Sequence, residues 1–143
     1  RLVSSAASDV YKRQTQSSVL GVFSASGNQV SNYGVISSKN IDGIEKVDGI
    51  VEKPKPADAP SNLAVFGRYI LSKDIFLNIE QTKPGLNNEI QLTDAIQDLI
   101  SNQDVFALEF EGKRFDCGSK EGYISAIIDR ALSIDKYKSI VEK

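Results

Sequence analysis

The chain has 143 residues, 41% hydrophobic and 25% charged, with a formal net charge of -2, which is the profile of one globular domain with room for a core. That charge balance gives no electrostatic footprint for nucleic acid or an anionic membrane surface, and no stretch approaches the roughly 20 apolar residues of a membrane-spanning helix. With no histidine and a single cysteine, Cys117, the sequence excludes an internal disulfide, histidine-activated serine or cysteine nucleophiles and imidazole-dependent zinc sites. A reducing, cytoplasmic setting is expected, with carboxylates, lysines, backbone or a metal left to carry any chemistry.

In chain order, residues 1–14 show neither helical nor strand periodicity and no apolar run of a signal peptide. The string RLVSSAASDVYKRQ is similar to translated sequencing-adapter sequence, so this stretch is expected to be a non-native leader, with the folded part at 15–143. From Ser17 onward strand-like runs alternate with amphipathic helical patterns, the mark of an α/β domain. Ser18 to Phe23 reads as a strand. Tyr33 to Ser37 and Val47 to Val51 read as two more, joined as a hairpin through the turn chemistry of Asn40, Asp42 and Gly43. Pro54, Pro56 and Pro60 forbid regular pairing between Glu52 and Ser61, which predicts a loop leaving a strand end.

Asn62 to Leu71 is a buried-strand pattern, and Ser72 is the expected N-cap of a helix carrying Ile75, Phe76 and Ile79 that ends near Thr82. Asn87 or Asn88 is expected to cap the next helix, whose Leu92, Ala95, Ile96, Leu99 and Ile100 form one apolar face for the sheet. Val105 to Phe115 reads as two short strands joined near Gly112. Asp116, Cys117 and Gly118 then turn into a helix capped by Ser119, with Ile124, Ile127, Ile128, Ala131 and Leu132 at helical spacing. No internal repeat or low-complexity segment is present.

Four segments could carry chemistry. In Glu52-Lys53-Pro54 the carboxylate could accept hydrogen bonds from sugar hydroxyls and the lysine could meet a phosphate, or the two could form a solvated charge pair. Asp116 in Asp116-Cys117-Gly118-Ser119-Lys120 is placed to hold a hard cation such as magnesium, or merely to close a helix-capping turn. Cys117 itself is expected to be a small buried hydrophobe. Gly34 either makes room for a ligand or supplies positive φ. The polar residues of Asn88 to Asp94 most simply cap a helix N-terminus.

Taken together, in this order and at these separations, SNYGVI, GIVEKPKP, APSNLAVFGRYIL, NNEIQLTDAI and FDCGSKEGY closely resemble bacterial UTP-glucose-1-phosphate uridylyltransferases. The resemblance runs from about Ser17 to the C-terminus. It implies a Rossmann-like nucleotidyltransferase fold, a mixed sheet flanked by helices, and transfer of UMP from UTP to glucose 1-phosphate with magnesium. It also implies that Glu52 and the backbone at Gly34 hold glucose hydroxyls, that Lys53 is the catalytic residue neutralising the sugar phosphate, and that Asp116 ligates magnesium. Val65 and Thr93 would border the sugar pocket, with Tyr33 packing beside the glucose.

The family's glycine-rich triphosphate loop, with its arginine and lysine, and its second metal-binding aspartate have no counterpart here. The resemblance therefore implies a C-terminal, sugar-phosphate-binding part that is inactive alone and belongs to a homo-oligomeric parent. A dTTP- or CTP-dependent transferase, or a non-catalytic sugar-phosphate-binding or oligomerisation domain, are the alternatives.

Overall fold

The computed structural model describes residues 13, 17–85, 88–110 and 112–141. All but one residue of the expected leader, and Asn87, lie outside them. The chain divides into two compact units, Arg1–Glu111 and Gly112–Lys143.

In the first unit five strands close on themselves. They are β1 (Ser18–Ser24), β2 (Gly34–Ile41), β3 (Ile44–Glu52), β4 (Leu63–Ile70) and β5 (Val105–Glu109), in the spatial order β1-β4-β2-β3-β5. β5 lies parallel to β1, with Ser18 opposite Val105, and antiparallel to β3, while the remaining neighbours pair antiparallel. The fold is thus mixed α/β, as expected. Residues 18 to 22 of β1 are all buried, which explains why this strand reads as a continuous apolar run and not an alternation.

β2 and β3 form the expected hairpin, longer than its apolar residues suggest. Asp42 and Gly43 both take positive φ, 54° and 84°, the signature of a tight type I′ turn. The polar residues beside the turn extend the ladder instead of ending it. Ser38 Oγ and Asn40 Nδ2 each donate to the Glu45 carboxylate at 2.7 Å, and Asn40 Oδ1 accepts from the Gly43 N–H at 3.0 Å.

These bonds, Asn40's above Ser38's, hold the Glu45 carboxyl below its ordinary 4.5, with burial slightly opposing them. A carboxylate whose folded pKa is depressed stabilises the fold fully above pH 4.5, and that contribution drains away as pH falls through the lowered value. Thermal melts from about pH 6 to 3 should therefore fall less steeply for Glu45→Gln than for the wild type. Equal slopes would contradict the assignment.

Two helices pack on this sheet, α1 (Ile75–Gln81) and α2 (Leu92–Asn102). Ser72 does not cap α1. Its N–H donates to Ser18 Oγ and its hydroxyl accepts from Gln103 Nε2, both at 2.9 Å, so tertiary partners use the groups a cap would need and the helix starts after Asp74. Ile75 is buried and Ile79 partly so, but Phe76 is 68% exposed, since adjacent helix positions point about 100° apart. α2 is likewise not capped by an asparagine. Asn88 takes φ 60° in a turn where its N–H donates to the Gly85 carbonyl, and Gln91 occupies the cap position. The α2 face is as expected except at its first residue, Leu92, which is exposed: Ala95, Ile96 and Leu99 are buried in the main core with Leu20, Ile36 and Val65, and Ile100 packs beside them.

The run expected to be two strands holds one. β5 finds β1 on one side and β3 on the other, so it closes the ring and does not fold back on a second strand.

The second unit contains α3 (Lys120–Leu132) and α4 (Asp135–Val141). Ser119 caps α3 as expected, its Oγ accepting from the Gly122 N–H at 3.0 Å. Lys113 Nζ pairs with the Asp129 carboxylate. Cys117 is exposed, not buried as expected, because it sits in the tight turn before α3. No helix among the described residues is long and apolar enough to cross a membrane.

Candidate sugar-phosphate site

The start of β2 and the end of β3 meet at Gly34, which is opposite Glu52 in the ladder. The next residue, Val35, pairs with Ala64 and so brings β4 alongside. Gly34 does not have positive φ. Its lack of a side chain answers to space: a Cβ would lie 3.0 Å from Val65 Cγ2, 3.2 Å from Glu52 Oε2 and 3.4 Å from Ile50 Cδ1. Of the two sequence explanations for this glycine, the conformational one is therefore excluded, and what crowds the position is Val65 first and the Glu52 carboxylate next.

Glu52 is held from α2. Thr93, buried in the first turn of that helix, donates from Oγ1 to Glu52 Oε2 at 2.6 Å, the length of a charge-assisted bond. The other oxygen, Oε1, lies 3.6 Å from Lys53 Nζ. The Glu52 side chain is 24% exposed and the Lys53 side chain 53%, so a carboxylate set into the surface stands beside an ammonium reaching out of it. Burial pushes the hydroxyl of Tyr69 above its ordinary 10.0, against a backbone hydrogen bond at Gly67, and the Glu52 charge adds the smallest part of the rise.

Lys53 has φ 46°, a left-handed conformation that costs a residue with a side chain about 1–3 kcal/mol. Flanking bonds hold it there. The Lys53 N–H donates to the Tyr33 carbonyl at 3.0 Å, and the carbonyl of the next residue, buried Pro54, accepts from Ser31 Oγ at 2.9 Å. The Tyr33 ring is itself set edge-on against Phe23, with centroids 5.3 Å apart. Ser31 was not foreseen, because nothing in the spacing of two residues 23 apart indicates that one clamps the other.

Gly34, Glu52, Lys53, Val65 and Thr93 thus come from three strand ends and a helix start to one place. Asp116 belongs to the second unit. Its Oδ1 accepts from the Gly118 N–H at 3.1 Å and its carbonyl from Ser119 Oγ at 3.0 Å, so it closes the turn before α3. Among the described residues no group of three or more His, Cys, Asp or Glu could enclose a metal. A lone exposed carboxylate still suits a magnesium ion that completes its shell with water and substrate phosphate oxygens.

The geometry makes a direct prediction for Gly34→Ala. The added methyl must displace Val65 or the Glu52 carboxylate, and affinity for the glucose 1-phosphate that the sequence resemblance implies as ligand should fall about 10-fold. Calorimetric titration of the variant checks this, and wild-type affinity would show that the crowding is without consequence.

Residues 4–131 match the nucleotidyl transferase family model. A UTP-glucose-1-phosphate uridylyltransferase of Streptococcus pyogenes serotype M3 is 46% identical over 127 residues, covering 87% of this chain and 42% of that protein. The UTP-glucose-1-phosphate uridylyltransferase of Pseudomonas aeruginosa is 51% identical over 114 residues, covering 79% of this chain and 41% of that protein. A crystal structure of UDP-glucose pyrophosphorylase complexed with UDP-glucose superposes with a TM-score of 0.81 at 44% identity, covering 87% of this chain and 48% of that one. The chain spans less than half the length of each.

Proposed function

The chain belongs to the nucleotidyl transferase family, and from that premise we propose that it is the sugar-phosphate-binding, C-terminal part of an enzyme that makes UDP-glucose and pyrophosphate from UTP and glucose 1-phosphate. The observation that carries this reading is the convergence of the Glu52 carboxylate, oriented by Thr93 and uncrowded at Gly34, with the Lys53 ammonium beside it. Relatives named for the same reaction support it.

In this reading Glu52 accepts hydrogen bonds from glucose hydroxyls, Thr93 keeps the carboxylate from rotating, and Val65 and Tyr33 border the sugar. Lys53 meets the phosphate. A phosphate oxygen of glucose 1-phosphate is already anionic, so it attacks the α-phosphorus of UTP without a general base. The new P–O bond forms as the bond to the bridging oxygen of the β-phosphate breaks, and pyrophosphate leaves with that electron pair. Most of the acceleration then comes from alignment and charge neutralisation. Asp116 would hold a magnesium ion, which when bound would reduce repulsion between the phosphate groups. The parent enzyme is proposed to be cytoplasmic and homo-oligomeric.

The ten glycines of the chain form no cluster suited to cradling a triphosphate, so UTP is expected to be held outside these residues. The test combines this chain with the portion of the Pseudomonas aeruginosa relative that it does not cover, supplied as a separate polypeptide, and follows pyrophosphate release. UTP-dependent turnover from the mixture and from neither piece alone is the expected result. A preference for dTTP or CTP, or turnover by the isolated chain that Asp116→Ala abolishes, which rules out contaminating host enzyme, would overturn the proposal.

A further inference from the structure

Helix α2 touches β3 through a second hydrogen bond besides that of Thr93. β5 accompanies β3 only as far as Val47, opposite Val105, so the last stretch of β3, which ends in Glu52, runs on without that neighbour. There the N–H of Ile50 donates to the side chain of Gln97, at 2.8 Å to Oε1. Gly49, next to Ile50, lies beside this side chain: a Cβ there would make ordinary contact with Gln97 Oε1 at 3.6 Å, and its crowding would be with Ser37 Oγ at 2.9 Å.

The two bonds are in step. From Thr93 to Gln97 is about one helical turn, a rise of roughly 6 Å, and from Ile50 to Glu52 is two strand residues, roughly 6.7 Å. Gln97 therefore reaches Ile50 as Thr93 reaches Glu52, and the helix is tied to the strand end at two points running in opposite chain directions. Apolar contacts of Ala95, Ile96 and Leu99 keep α2 on the sheet but tolerate small slides and rolls, whereas two directional bonds remove them. A binding carboxylate must be held to within about 0.5 Å.

We propose that Gln97 is a positioning residue for sugar recognition: by tying α2 to the Ile50 N–H, it sets the height at which Thr93 grips the Glu52 carboxylate. Gln97 touches no substrate. The proposal rests on the assignment of Glu52 to the sugar, and it adds a residue to which sequence comparison with the site assigns no role.

The test titrates the 143-residue chain with glucose 1-phosphate and with inorganic phosphate, the second ligand reporting on Lys53 alone. Gln97→Leu should weaken glucose 1-phosphate about 5-fold and leave inorganic phosphate unchanged, and Gln97→Glu, which keeps an acceptor oxygen at the same reach, should recover most of the loss. Should the leucine variant not fold, Gln97→Asn, one methylene too short, is judged by the same criterion. Undiminished affinity for glucose 1-phosphate, an equal loss for both ligands, or no recovery by glutamate overturns the proposal. Glu52→Gln in parallel separates the failures. If it also binds glucose 1-phosphate normally, the sugar assignment itself is wrong; if it binds weakly while Gln97→Leu does not, only the role of Gln97 falls.

Discussion

Lys53→Ala is expected to lower kcat/KM for UDP-glucose formation at least about 100-fold, roughly 3 kcal/mol of transition-state stabilisation. The assay uses a chimera joining this chain to the portion of the Pseudomonas aeruginosa relative that it does not cover. Removing the ammonium leaves the sugar phosphate to approach the triphosphate without that neutralising charge. Stability should hardly change, because the Lys53 side chain is half exposed and what anchors the residue is its backbone bond to Tyr33. Lys53→Gly sharpens the test: it deletes the same charge but relieves the φ of 46°, so it should be equally inactive yet melt higher than Lys53→Ala. Near-normal turnover in either variant would remove Lys53 from the chemistry.

Glu52→Gln should cost about 10- to 100-fold in affinity for glucose 1-phosphate, because hydrogen bonds to a charged acceptor are worth about 1.5–3 kcal/mol each. The substitution keeps the shape beside Gly34 but weakens both the bond from Thr93 and those from the sugar. The loss should therefore depend on the ligand. Deoxy analogues lacking the contacted hydroxyls should bind wild type and variant almost alike. An equal loss across all analogues would mean that Glu52 supports the fold and does not read the sugar.

The elements that could be read in the sequence are those whose signals are local. The hairpin turn at Asp42 and Gly43, the Ser119 cap and the apolar face of α2 each depend on residues a few positions apart. The misread elements depend on distant partners. Ser72 has the chemistry of a cap, but Ser18, 54 residues earlier, and Gln103, 31 residues later, claim it. Val105 to Phe115 has the alternation of a hairpin, yet β5 is completed by β1 and β3, and only the ring closure decides between the two.

The candidate site was legible in another way. From residue chemistry alone, Glu52-Lys53-Pro54 could equally be a solvated charge pair. Gly34 was already a candidate from its residue type, but it was the resemblance that singled out Val65 and Thr93 alongside it, and their convergence on one carboxylate is a property of the folded chain that no spacing conveys. The clamp that Ser31 makes on Pro54 and the bond of Gln97 to Ile50 lay beyond either approach, since a serine in a turn and a glutamine on a helix have many ordinary uses.

The most direct test of the central claim is a backbone-amide NMR titration of the 143-residue chain with glucose 1-phosphate, using inorganic phosphate as the control. Saturable shifts centred on Gly34, Glu52, Lys53 and Thr93, with those at Gly34 and Thr93 absent for phosphate, are the result this account predicts. Glucose 1-phosphate shifts that match those of phosphate, or that fall elsewhere on the chain, would contradict it.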